Sequence, residues 1–148
     1  MSVLPALPSG FGRFTTIFQD HRELAGTQVK LRHMCAVLLG DTWEDAPADP
    51  TQLLREFYAD LTAHFEREET DEYFGVVASE RPGLIPRLAE LRAEHTELLE
   101  TVSDLARQAQ GALDRYDLAR ETLMVLARLR AHEQTETQLL NEFFEPES

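Results

Sequence analysis

Leu129-Arg130-Ala131-His132-Glu133-Gln134-Thr135-Glu136 has an earlier counterpart in Leu61-Thr62-Ala63-His64-Phe65-Glu66-Arg67-Glu68. In each stretch a glutamate follows a histidine by four residues, so on a helix the imidazole and the carboxylate leave the same face about 6 Å apart along the axis. That is a metal-ligand spacing. A single pair of this kind arises by chance in any glutamate-rich helix. Two pairs, one preceded by a lone His21 and the other by a lone His95 on separate helical stretches, are not explained by composition.

Working outward, the second stretch lies on a stripe of Leu118, Thr122, Val125, Leu126, Leu129, His132, Glu136, Leu139, Leu140 and Phe143, with Asp114 or Asp117 as its cap. The first lies on Leu54, Phe57, Leu61, His64 and Glu68. Asp49-Pro50-Thr51-Gln52 opens that helix with an acceptor, a proline at the first helical position and a glutamine completing a capping box. It fades near Phe74 and Gly75, and a connection with Ser79, Pro82 and Gly83 leads to Pro86. The stripe there is Leu88, Leu91, His95, Leu98, Val102, Leu105 and Ala109, closed by Gly111. Upstream, Phe14, Ile17, Phe18, Leu24, Leu31, Cys35 and Leu38 carry His21 and Gln28 on their stripe, and Gly40 ends that helix near Leu39. A loop with Asp41, Trp43 and Pro47 follows.

No stretch alternates with period two over a strand's length, so the reading is all-α. Four amphipathic helices with short connections predict an up-down-up-down antiparallel four-helix bundle over residues 13–146, behind a flexible N-terminal arm over 1–12. The order lone His, His-x3-Glu, lone His, His-x3-Glu makes the bundle two similar halves.

Helical rise converts sequence separation into height. His21 lies roughly 27 Å from the end of the first helix, and His64 and Glu68 about 21 to 27 Å from the start of the second. Glu68 lies about 9 Å from the end of its helix, and His95 about 13 Å from the start of the third. His95 is roughly 21 Å from the end of that helix, and His132 and Glu136 roughly 22 to 28 Å from the start of the fourth. The spacing thus predicts one layer of His21, His64, Glu68, His95, His132 and Glu136. His33, among Lys30 and Arg32, falls off the stripe and reads as exposed.

Buried carboxylates must be paired, protonated or coordinated, and only metal satisfies six such groups together. Six nitrogen and oxygen ligands exceed what one zinc needs, and no thiolate is among them. Two glutamates can each bridge two metals, leaving two histidines per metal, room for a bridging oxide, hydroxide or water, and an open position. Imidazole with carboxylate suits iron, with manganese or zinc as substitutes.

The order His21, His64-x3-Glu68, His95, His132-x3-Glu136 resembles the hemerythrin-like HHE cation-binding domains over essentially the whole folded part of the chain. The resemblance implies a four-helix bundle with two iron ions bridged by Glu68, Glu136 and an oxo or hydroxo group. Oxygen-carrying hemerythrins differ in two places: a second histidine one turn away on the third helix, where this chain has Leu91 and Leu99, and a His-x4-Asp pair on the last. One metal is therefore short of an imidazole. Water, Tyr58, Tyr73, or a carboxylate such as Glu69 or Glu133 are the candidates to replace it, and reversible oxygen carriage is disfavoured. Otherwise Glu66, Glu69, Glu94 and Glu133 read as surface charges, and Tyr58, Tyr73 and Tyr116 as rim or core residues.

Net charge −13 and a pI near 4.7 argue against nucleic acid or an anionic membrane as partner. The single Cys35 forms no internal disulfide and fits a reducing compartment. With no basic leader and no apolar run of bilayer length, the expectation is a cytoplasmic protein. No phosphate loop or nucleophile elbow is present, and no catalytic residue is singled out. The function expected is binding of a small ligand (O2, NO or peroxide) at an open iron position, for binding, sensing or peroxide handling. The alternatives are an iron-donating or repair protein, and a regulatory module with a structural metal. Binding and turnover are not distinguished by these residues.

Overall fold

The computed structural model describes residues 15–40, 49–70 and 72–145, without the side chains of 15–18 and 20. The expected arm over 1–12, Phe14, the side chains of Ile17 and Phe18, and the loop residues Asp41, Trp43 and Pro47 lie outside the described residues. Five α-helices are present among them: α1 (Thr15–Leu39), α2 (Pro50–Glu68), α3 (Phe74–Glu80), α4 (Ile85–Gln108) and α5 (Arg115–Phe144). A 3-10 turn, Pro82–Leu84, joins α3 to α4, and the described residues form no strand.

The ends follow from local chemistry. The Asp49 side chain accepts from the Thr51 N–H at 3.0 Å with Pro50 in the first turn, a cap worth about 1 kcal/mol. Gln52 does not complete the capping box; its amide donates instead to Glu56, one turn on, at 3.3 Å. Asp114 is the residue that caps α5, accepting from the Asp117 N–H at 2.8 Å. After α4 the chain reverses through Gly111 at φ +142°, a conformation that only glycine adopts without strain.

The second helix is shorter than its sequence pattern suggests. It stops at Glu68 rather than running to Phe74 and Gly75, and the Thr70 carbonyl then accepts from both Tyr73 and Gly75 N–H groups. That turn frees Phe74–Glu80 to form α3, which buries Phe74 and Val77. Arg81 fastens this connection to the end of α5, donating to the carbonyls of Phe143 at 3.3 Å and Glu145 at 3.1 Å. These are among the last carbonyls of α5, which lack helical partners.

Each long helix packs against two others, α1 and α4 each contacting both α2 and α5. Contacts across α1 and α5 include Gln28–Glu133 and Gly40–Arg115, and across α4 and α5 Glu94–His132, Thr101–Arg128 and Arg87–Glu142. Among the described residues the apolar stripes meet in two separate clusters. The larger runs from Leu24, Leu31 and Leu38 through Leu54, Phe57 and Leu61 to Val102, Leu105 and Leu129. The smaller holds Tyr73, Phe74, Val77, Leu84, Leu88, Leu91, Leu139, Leu140 and Phe143. The buried polar residues His64, Glu68, His95, His132 and Glu136 come between them along α2, α4 and α5.

Cys35 belongs to the larger cluster. Burial pushes its thiol up to about 11, against a hydrogen bond with Thr122 that acts to lower it. The folded protein therefore resists iodoacetamide or a disulfide reagent at pH 8, where a free thiol of ordinary pKa reacts through its thiolate. Modification is expected only under denaturing conditions, which a mass-spectrometric time course reads directly. Above about pH 9 the unfolded thiol loses its proton while the folded one keeps it, so this group lowers stability as pH rises further.

Candidate metal centre

α1, α2, α4 and α5 each bring their ligand-type side chains to the layer because those residues continue the apolar stripe by which each helix packs. His64 Nε2 lies 2.9 Å from Glu68 Oε1, the i,i+4 pair of α2. From α4, His95 Nε2 reaches the same oxygen at 3.7 Å. From α1, His21 Nε2 lies 4.0 Å from Glu68 Oε2 and 3.5 Å from Glu136 Oε1. On α5, His132 Nε2 is 3.8 Å from Glu136 Oε2. All six residues singled out by the sequence are thus brought together. They form two histidine pairs, with ring centroids 4.7 Å apart for His21–His64 and 4.8 Å for His95–His132.

Among the described residues, two groups have one ligand atom per residue all within 4.8 Å of one another: His21, His64 and Glu68, and Glu68, His95 and His132. Each could hold a metal ion, and Glu68 belongs to both. His95 Nε2 and His132 Nε2 are buried and make no hydrogen bond among the described residues. A buried imidazole nitrogen beside a carboxylate, with no proton-sharing partner, suits a cation. The residues present therefore fit a metal.

Electrostatics point the same way. Burial, then the neighbouring Glu136 carboxylate, push Glu68 well above the usual carboxylate range. Burial acts to raise Glu136 too, but hydrogen bonds from Glu68 and His21 and the charges of His21 and His132 outweigh it and hold Glu136 low. Without a cation, then, the pair shares one proton, kept on Glu68. Burial lowers His95 despite its bond to Glu69, so the ring is neutral, the form that coordinates.

Three contributors have roles not assigned by sequence: Glu94 reads there only as a surface charge, and Glu69 and Tyr73 only as surface, rim or core residues or as candidates for the missing ligand. Glu69 Oε2 meets His95 Nδ1 at 2.8 Å and Glu94 Oε1 meets His132 Nδ1 at 2.7 Å. Neither is an idle surface charge: each binds the nitrogen of a ring whose other nitrogen faces the layer. Tyr73, from the turn between α2 and α3, is buried and its hydroxyl donates to Glu136 Oε1 at 2.9 Å. Burial, then the charges of Glu136 and Glu68, raise this phenol well above its ordinary value, so it remains a donor. Tyr58 and Tyr116 are exposed, as is His33. Glu133 is half-buried and accepts from the Gln28 amide at 3.2 Å; burial raises its carboxyl, opposed by His21 and Gln28. The one signal for Glu69 and Glu94 was adjacency, since each sits next to a layer residue, Glu68 and His95.

Tyr73→Phe removes the hydroxyl and leaves Glu136 with one donor fewer in a buried setting. A loss of ~1–3 kcal/mol is expected in the metal-free protein, read by urea unfolding, with the helical signal intact.

No curated protein and no solved structure matches the chain. No described helix is long and apolar enough to cross a membrane. The sequence profile of the Hemerythrin HHE cation binding domain matches residues 14–144. With the histidines and glutamates of all four long helices gathered inside that span, the chain belongs to the hemerythrin HHE cation-binding family.

Proposed function

We propose that the chain is a dinuclear non-haem iron protein that binds a small ligand (O2, NO or peroxide). His21 and His64 would hold one ion and His95 and His132 the other, with Glu68 and Glu136 shared between them. The observation that carries this reading is Glu68, a fully buried carboxylate within reach of both histidine pairs. Iron is favoured over zinc by the imidazole and carboxylate donor set without thiolate, and it would supply redox chemistry and an open coordination position. The chain's own residues bind and orient: Tyr73 holds a proton at Glu136, Glu69 and Glu94 hold their two rings, and the two apolar clusters exclude water above and below.

The same proposal takes residues 13–146 as one up-down-up-down antiparallel bundle, a cytoplasmic domain behind an N-terminal arm. Contacts between residues early in one helix and late in its neighbour, such as His21–Glu136 with Gly40–Arg115, support that topology. Iron donation to other proteins is a second reading, favoured by the partial exposure of His21.

The test is reconstitution with ferrous iron under argon. About two ions per chain and new near-ultraviolet charge-transfer bands after admission of air, or after NO, are expected. A protein that retains no iron, or whose spectrum is unchanged by air and NO alike, overturns the proposal. Rapid loss of iron to a chelator after oxidation, with no stable adduct, selects the second reading.

A further inference from the structure

The histidines of α4 and α5 are held from behind. The side chains of His95 and His132 are each 2% exposed, and both have Nδ1 against a carboxylate, Glu69 at 2.8 Å and Glu94 at 2.7 Å. A carboxylate only accepts, so Nδ1 carries the hydrogen and Nε2 is left as the lone-pair nitrogen facing the layer. Glu69 is held in turn by Arg92 Nε at 3.7 Å. The His95 ring lies parallel to Phe65, with centroids 3.8 Å apart, and beside Phe74. Tautomer and ring angle on this side are thus set before any ion arrives.

In the other pair His64 is as buried, at 3%, but His21 lies nearer to water. The His21 side chain is 23% exposed. A groove of about 250 Å³ between α1 and α2, lined by Glu23, Leu24, Asp60, Ala63, His64 and Arg67, reaches His64 from the surface.

We infer that the two metal positions are unequal. Glu68, His95 and His132, with Glu69 and Glu94 as positioning residues, form the position that fills first and empties last, while the His21–His64 position exchanges its ion through the α1–α2 groove. The inference rests on the dinuclear reading above. It makes a one-metal form of the protein a distinct species, with its ion on the α4–α5 side.

Anaerobic titration with cobalt(II), followed by its visible bands and by competition with a chelator, tests this. The parent should take two ions in two steps separated by at least ~10-fold in affinity. Glu69→Ala and Glu94→Ala should each weaken the first step by about 10–100-fold, the usual consequence of removing a partner of a ligating histidine. Glu69→Gln and Glu94→Gln should recover part of that loss, because a carboxamide oxygen still accepts from Nδ1–H; these variants decide the matter if an alanine variant does not fold. His21→Ala should abolish the second step and leave the first. A purely structural role for the carboxylates would move the melting temperature without moving the first step or its bands. Two ions bound with equal affinity, an unchanged first step in both alanine variants, or loss of the first step in His21→Ala would overturn the inference and leave the dinuclear reading standing. A parent that binds no cobalt and no ferrous iron overturns both.

Discussion

Glu68→Gln is expected to fold with its helical content intact and to retain only trace metal after gel filtration, where the parent is expected to carry about two ions per chain. Glu68 is common to both candidate groups, lying 2.9 Å from His64 and 3.7 Å from His95, so one substitution weakens both positions at once. A carboxamide has nearly the shape of the carboxylate but no charge to balance a divalent ion. The affinity loss should reach or exceed the ~100-fold at the upper end of what removing a mere outer partner costs. Metal content by mass spectrometry or absorption reads this. Fold is not the confounder, because burial keeps metal-free Glu68 protonated, a state that costs folding free energy at neutral pH and that an uncharged carboxamide matches without that cost. Metal-free Glu68→Gln should accordingly melt at or above metal-free parent. A variant that holds two ions as tightly as the parent would remove Glu68 from the site.

Stripping the metal should lower the melting temperature more than any single core substitution. Four histidines and two glutamates are gathered in one layer, five of the six fully buried. Two ions held at free concentrations about 1,000 times their dissociation constants would stabilise the fold by on the order of 8 kcal/mol. At roughly 2–4 °C per kcal/mol for a domain of this size, that is ~15–30 °C. Differential scanning calorimetry with ferrous iron, and with chelator, checks it. Readdition of ferrous ion should restore the higher transition, and zinc should restore part of it. A shift below ~5 °C, within what weak surface binding produces, would mean that the layer is stable by proton sharing alone.

The long helices and the six layer residues were legible because both rest on one regularity, the 3.6-residue period that puts His64 and Glu68, or His132 and Glu136, on the stripe that also carries the leucines. Caps at Asp49 and Asp114 were legible for the same local reason. What the period does not encode is how far each helix is rotated against its neighbour. Glu94 and Glu69 sit one position off the seam, and only that rotation decides whether such a residue faces water or the back of a histidine ring. Tyr73 was a candidate whose bond to Glu136 was hidden for another reason. It lies in a turn, and its arrival at Glu136 depends on α2 stopping at Glu68 and on a seven-residue helix too short to show a period of its own.

Among the described residues the buried hydrocarbon is split into two clusters with a polar stratum between them. Oil-on-oil contact is therefore interrupted along the rods, and what joins the upper and lower portions is the ligand-type stratum itself, helped by the continuous backbones of α4 and α5. A chelated sample should then behave as two loosely geared blocks, the end closed by α3 and pinned by Arg81 loosening while the Leu31–Leu129 end stays shut. Calorimetric enthalpy would exceed the van't Hoff value in that sample and match it once the ions return, making the metal a clutch for cooperativity.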